Sequence, residues 1–413
     1  MLENFDRNLQ KYADLIVNMW VNLQPTQRLL IRAPIEAAPL VEKVTISAYQ
    51  ASARLVTVIW SHDPLELARF QYAPRDSFEE FASWISDGYY QHIKDGHALL
   101  SIYAEDPDLL KEQDQKLIGI AMKTRMQKTS QFSSLLSKNA VNWNVISYPI
   151  PGWARKVFPR LSDELAVEKL WDTIFDICRI KQADPLAAWK EHVRQLVSRA
   201  GYMNQKQYTA LKYSGPGTDL TLGLPENHIW LSAGFASQAG IPFIANAPTE
   251  EIFTLPHKGI GEGTIRASMP LNYGGTLIED FSLTFKDGKV IGFTAEKGQE
   301  LLKSLLDTDE GASHLGEVAL VPHSSPISQS KLLFYNTLFD ENAASHIALG
   351  RAYRFSLEGG VAMSEEQFAS AGGNYSLAHV DFMVGNSEMN LDGITKDGKT
   401  EPVMRKGEWA FEV

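Results

Sequence analysis

The sequence predicts an α/β N-terminal domain, with a parallel sheet flanked by helices, followed by a β-rich α+β C-terminal domain. Three observations carry that reading. The chain has 413 residues, too many for one ordinary core. Its first half alternates short β-branched runs with long helical stretches, the pattern of crossover connections between parallel strands. After Gly201 the texture changes to turn clusters, glycines and short β patterns. The boundary is therefore drawn at residue 200, giving domains over 1–200 and 201–413.

Residues 3–23 carry helical apolar spacing through Leu9, Tyr12, Ile16, Met19 and Trp20, and stop before Pro25. Leu29-Leu30-Ile31 forms a short strand, followed by a helical stretch over 37–53. Residues 55–60 and 97–103 read as strands, with helical stretches over 64–95 and 107–138. Residues 141–148 make a further strand, closed by Pro149 and Pro151. No Gly-x-Gly-x-x-Gly follows any of these strands, so a dinucleotide site has no support. Residues 162–200 are helical, with Ser162 as N-cap and Asp163 and Glu164 where the helix dipole favours negative charge. His62-Asp63 follows a strand, where α/β folds often place functional residues; a helix start before Pro64 accounts for it better. Trp143, Trp153 and the 149–152 turn suit a cleft or interface surface, with core packing the simpler reading. Beyond Gly201, 214–219 is a turn cluster, and 277–285, Asp287-Gly288 and 289–294 read as a hairpin.

Composition narrows the class. The charge balance is 39 basic against 50 acidic residues, which argues against a nucleic-acid partner because phosphate binding needs a concentrated basic face. Cys178 is the only cysteine, so thiolate metal sites and intrachain disulfides are excluded. It lies on an apolar stripe at helical spacing with Trp171, Ile174 and Phe175, which reads as a buried core thiol. The N-terminus is polar, without the apolar region of a secretory signal, and no run of about 18 apolar residues offers a membrane span. The expected location is cytoplasmic.

Chemistry concentrates in the second half. Ten histidines are present but no His-Glu-x-x-His, so a metal site would have to be assembled from separate elements. In the 376–384 run, strand alternation puts Val380, Phe382 and Val384 on one face and His379 and Asp381 on the other. That pair can reach a cation; a surface face or a His–Asp hydrogen bond is the plainer alternative. His346 sits among small residues, Ala343, Ala344, Ala348 and Gly350, and shares a face with Tyr353 if the run is helical. A satisfied core histidine is the alternative there. Glu250 and Glu251 precede an apolar pair, and Glu317 heads a strand-like run. Taken singly, each suits a cap or a turn. Buried carboxylates, however, are costly unless paired or ligating. Together the four segments supply Glu, Glu, His, His and Asp within about 130 residues, the donor set of a two-metal hydrolase.

At these residues the chain resembles the M29 metalloaminopeptidases, the aminopeptidase T, aminopeptidase S and PepS group. The resemblance rests on Asn246-Ala-Pro-Thr-Glu-Glu-Ile-Phe-Thr254, Leu306-Asp-Thr-Asp-Glu-Gly311 and Leu315-Gly-Glu-Val-Ala-Leu-Val-Pro322. It continues through the run from Asn336 to His346, then His379-Val-Asp381 and Asp392-Gly393. It covers most of 214–413 and, more weakly, the first half; Ala247 stands where many members carry leucine. The resemblance implies a homodimer that removes N-terminal residues from peptides with two divalent metal ions (zinc, cobalt, manganese or magnesium). The implied ligands are Glu251, Glu317, His346, His379 and Asp381. Glu251 is preferred to Glu250 by its separation of 66 residues from Glu317. Two cations about 3.5–4 Å apart are expected to bridge a water, lower its pKa and polarise the scissile carbonyl. Glu250 is then placed to act as general base, and Tyr353 either ligates a metal or bonds the oxyanion. Two other classes remain open: a metal-independent two-carboxylate hydrolase, and a peptide-binding protein without turnover.

Overall fold

The computed structural model describes residues 4–274 and 276–413, which form two compact units. The first takes the chain up to Arg194 together with Ala233–Thr249 and Phe334–Leu338. The second takes Gln195–Ser232, Glu250–Leu333 and Phe339–Val413. Among the described residues, no helix is long and apolar enough to cross a membrane.

The first unit is built on four strands, β1 (Arg28–Pro34), β2 (Leu55–Ser61), β3 (Ala98–Tyr103) and β4 (Trp143–Ser147). They lie in the order β2-β1-β3-β4 and every pairing is parallel, as the strand–helix alternation predicts. The expected helix over 3–23 is a helix Phe5–Leu15 continued by a π turn, Ile16–Trp20; its first expected residue lies outside the described ones. The predicted stretch 64–95 is two helices, Asp63–Tyr72 and Ser83–Lys94, because Pro74 and the extended backbone at Glu80 interrupt it. The stretch 107–138 becomes helical only at Gln115, where Asp114 caps the Lys116 N–H at 3.0 Å. Ser162 does cap the helix Asp163–Ile177. The helix at Asp63 starts with proline in its first turn, and Cys178 and Trp153 are buried in the core.

Among the described residues, the second unit holds two large antiparallel sheets and a two-stranded ribbon. Eight strands run in the order Lys289–Thr294, Ser282–Lys286, Gly261–Arg266, Thr218–Gly223, Ala210–Gly215, Asn390–Ile394, Thr400–Arg405 and Glu408–Trp409. The predicted hairpin is there, its Asp287-Gly288 turn having φ of 50° and 73°. Its first strand is shorter than the sequence implies. Asp280 takes a left-handed φ of 48°, and Thr276–Ile278 pairs elsewhere with Leu271–Tyr273.

The second sheet has five strands: β5 (Leu231–Ser232), β6 (Ile252–Thr254), β7 (Leu315–Leu320), β8 (His346–Gly350) and β9 (His379–Met383). Their order is β9-β8-β7-β6-β5. The run at His346 is therefore a strand, not the helix that would set His346 and Tyr353 on one face, and β7 and β9 pair with it on both sides. The ladder overrides local helix propensity here. A β-bulge between Leu315 and Glu317 shifts the register of β7 against β8. Only glycine fits in it, because a Cβ on Gly316 would lie 2.2 Å from the Arg351 carbonyl oxygen.

Candidate metal centre

Register decides which side chains meet. Directly paired residues of an antiparallel ladder share a face. Glu317 pairs with Ala348 and Ala348 with Asp381, while His346 pairs with Ala319 and Met383, and Gly350 with His379. Phe253 pairs with Ala319, so Glu251, two residues before Phe253, follows the same alternation. One sheet face thus carries Glu251, Glu317, His346, His379 and Asp381, with Ala319, Ala348 and Gly350 leaving room between them.

The distances fall into two overlapping groups. His346 Nε2 is 3.0 Å from Glu251 Oε2 and 3.8 Å from Glu317 Oε1. His379 Nε2 is 3.7 Å from Glu317 Oε2 and 3.6 Å from Asp381 Oδ2. Glu251, Glu317 and His346 can hold one cation, and Glu317, His379 and Asp381 another, the donor atoms of each group lying within 4.8 Å of one another. Glu317 belongs to both.

Each imidazole is aimed by its other nitrogen. His346 Nδ1–H donates to the Ala344 carbonyl at 3.1 Å and His379 Nδ1–H to the Arg351 carbonyl at 2.7 Å. A carbonyl can only accept, so in a neutral ring the Nε2 lone pair faces the carboxylates. That juxtaposition is repulsive unless a proton or a cation lies between them. Backbone-anchored imidazoles of this kind are the usual metal-ligand arrangement.

The electrostatics have the same meaning. Burial, opposed by the nearby His346 imidazole and reinforced by Asp381, pushes the Glu317 carboxyl up to about 7. Burial would lower the His346 pKa, but Glu251 and Glu317 hold it well above the usual imidazole range. Asp381 Oδ1 is buried without a hydrogen-bond partner among the described residues. A buried set this rich in carboxylates is unfavourable without positive charge, and the mixed oxygen and imidazole donors suit divalent metals.

Sequence reasoning missed Glu341. It is buried in the short 3₁₀ turn Glu341–Ala343, and burial followed by the charges of Asp381 and Glu251 raises its pKa well above the carboxylate range. Its neighbours Asp340 and Asn342 make the run look like a solvated turn, and no spacing signal marks it. Glu250 is also buried but belongs to neither cation group; its backbone N–H donates to Asn342 Oδ1 at 2.7 Å. Tyr353 lies just beyond β8, its ring centroid 4.7 Å from that of His379 and 5.1 Å from Phe355 in a stack. Burial, then Glu317 and Asp381, hold its phenol well above the usual range, so it is a neutral donor.

Comparison with known proteins agrees with this chemistry. A family model described as thermophilic metalloprotease (M29) matches residues 5–409. Aminopeptidase 2 of Geobacillus stearothermophilus is 49% identical over 412 residues, covering 100% of both chains. Aminopeptidase T of Thermus thermophilus is 43% identical over 408 residues, covering 99% of this chain and 100% of the relative. The solved structure of wild-type AmpT from Thermus thermophilus superposes with a TM-score of 0.91 at 42% identity, covering 98% of this chain and 100% of that one. With a match along nearly its whole length, this chain belongs to the M29 metalloprotease family.

Proposed function

We propose that this M29 metalloaminopeptidase releases the N-terminal residue of peptides at a centre for two divalent cations. Glu251, Glu317 and His346 would hold one ion; Glu317, His379 and Asp381 would hold the other. The observation that carries the reading is the membership of Glu317 in both donor groups. Zinc, cobalt, manganese or magnesium bound there would lower the pKa of a water and polarise the scissile carbonyl.

The chain's own side chains divide the remaining work. A carboxylate takes the proton from the attacking water, and Glu250 and Glu341 are the two available. Glu341 is surrounded by the charges of Asp381, Glu251, His346 and Glu317, so it could alternatively complete the ligand set. The Tyr353 hydroxyl, held protonated, donates to the oxyanion that develops on the scissile carbonyl. The excess of carboxylates favours the substrate's free ammonium group, which restricts cleavage to the first residue. We extend the reading to a cytoplasmic homodimer, which light scattering checks at twice the chain mass.

Dialysis against a strong chelator should abolish release of amino acids from peptides, and added zinc, cobalt or manganese should restore it. Chelator-resistant hydrolysis would contradict the proposal. Glu341→Gln assigns its own role: a lost cation makes it a ligand, whereas full metal content with a collapsed kcat makes it the base and relieves Glu250 of that part.

A further inference from the structure

We propose that Asp309 and Arg351 form a clamp that aims His379 and Asp381 at the cations, acting as positioning residues and not as ligands. The inference rests on the two-cation reading above. Its basis is the Ser376–Leu377 peptide, which enters β9 just ahead of His379 and is gripped from both sides. On one side, Asp309 Oδ1 accepts from Ser376 Oγ at 2.7 Å and Asp309 Oδ2 from the Leu377 N–H at 2.6 Å. Asp309 Oδ1 also accepts from the Ala312 N–H at 2.9 Å, so both carboxylate oxygens are engaged away from the metal donors. On the other side, Arg351 Nε donates to Ser376 O at 2.8 Å and Nη2 to Leu377 O at 3.0 Å. The rigid guanidinium fork fixes two successive carbonyls at once.

The backbone of Arg351 closes the arrangement. Its N–H donates to Ala378 O at 2.7 Å, and its carbonyl accepts the His379 Nδ1–H at 2.7 Å. The residue that fixes the His379 ring is thus held by the very segment it holds. Asn374 ties in the neighbouring turns, donating to Gly311 O at 2.8 Å and Gly350 O at 2.6 Å. At Gly311 a Cβ would lie 1.9 Å from Tyr375 O, so the Asp309 turn and the strand entry are in backbone contact. The other imidazole, His346, depends on none of these bonds, because its anchor is Ala344. The clamp therefore acts on one cation group and not on its partner.

The test is zinc titration calorimetry on the metal-free full chain, comparing wild type with Asp309→Ala, Ser376→Ala and Arg351→Lys. Loss of an orienting partner of a ligand typically costs about 10–100-fold in metal affinity. In Asp309→Ala one of two zinc affinities should fall by that factor while the other keeps its wild-type value. Arg351→Lys, which keeps the charge but loses the fork, should do the same, and Ser376→Ala should fall less. Two unchanged affinities, or two falling together, would overturn the clamp. Amide exchange in the metal-free chain gives a readout independent of cations: the Leu377 and Ala378 amides should exchange faster in Asp309→Ala and Arg351→Lys. Exchange at the wild-type rate would also overturn it. Wild type binding a single zinc would count against the two-cation reading, and the exchange result would still decide the clamp. Should Asp309→Ala not fold, the milder Arg351→Lys and Ser376→Ala carry the comparison.

Discussion

Glu317 is the side chain on which most depends, because both donor groups contain it. Glu317→Gln should lose both cations in elemental analysis and lower peptide hydrolysis at least about 100-fold, whereas Glu251→Gln or Asp381→Asn should each lose one. Retention of two ions by Glu317→Gln would refute the shared-ligand arrangement. A second expectation concerns His228, buried in the second unit, whose Nδ1–H donates to Pro225 O at 2.8 Å. Burial lowers its folded pKa below the unfolded value of about 6.5. The unfolded chain therefore binds the proton first, so the neutral ring's contribution is complete above about pH 6.5 and is lost as pH falls below it. Thermal melts at pH 7.5 and 5.5 should show a smaller loss for His228→Gln than for wild type; an equal loss would exclude this ring as a source. At this scale the sequence was legible where alternation alone sufficed, as at His379 and Asp381. Glu341 was not, since its burial comes from tertiary packing around a run that reads as polar.

Among the elements, the bulge in β7 sets the site's register. Gly316→Ala places a methyl 2.2 Å from Arg351 O, a clash with backbone that no rotamer relieves, and should cost at least about 2–3 kcal/mol. Gly292→Ala is the control, since its new Cβ meets nothing nearer than Thr284 Cβ at 3.8 Å. Denaturant unfolding of the two variants side by side checks the contrast, and equal stability would show that the bulge tolerates a side chain. Element types followed from sequence where the pattern was strong, as in the four parallel strands. They failed where the partner decides: the alanines around His346 favour a helix locally, but strands on both sides make the run β. The 306–311 run carried the resemblance without a visible role, because Asp309 acts on Ser376, 67 residues later.

For the molecule as a whole, metal binding should appear as stability. Ions that bind only the folded chain stabilise it by about 2.7 kcal/mol per site when present at 100 times their Kd. Chelation should therefore lower the melting temperature of wild type by several degrees and leave that of Glu317→Gln unchanged. A chelator shift of equal size in that variant would mean that the stabilising ion binds elsewhere. The α/β and β-rich classes were both legible in the sequence from periodicity. What periodicity could not convey is that Ala233–Thr249 and Phe334–Leu338, late in the chain, pack with the first unit. Membership of a segment is settled by contacts between distant residues, and those leave no local pattern.

The common sheet face also governs how such a chain can vary in length. Side chains alternate along a strand, so inserting or deleting one residue ahead of Glu317 in β7, or between His379 and Asp381 in β9, turns the donor beyond that point away from its partners. A residue gained in the connections between β7, β8 and β9, clear of Glu341, Ala344, Arg351, Tyr353 and the 374–378 strand entry, leaves the phase of each strand and these contacts intact. Length changes should therefore be accepted in those parts of the loops and rejected within the strands, so the chemistry is protected by parity as well as by the identity of its side chains.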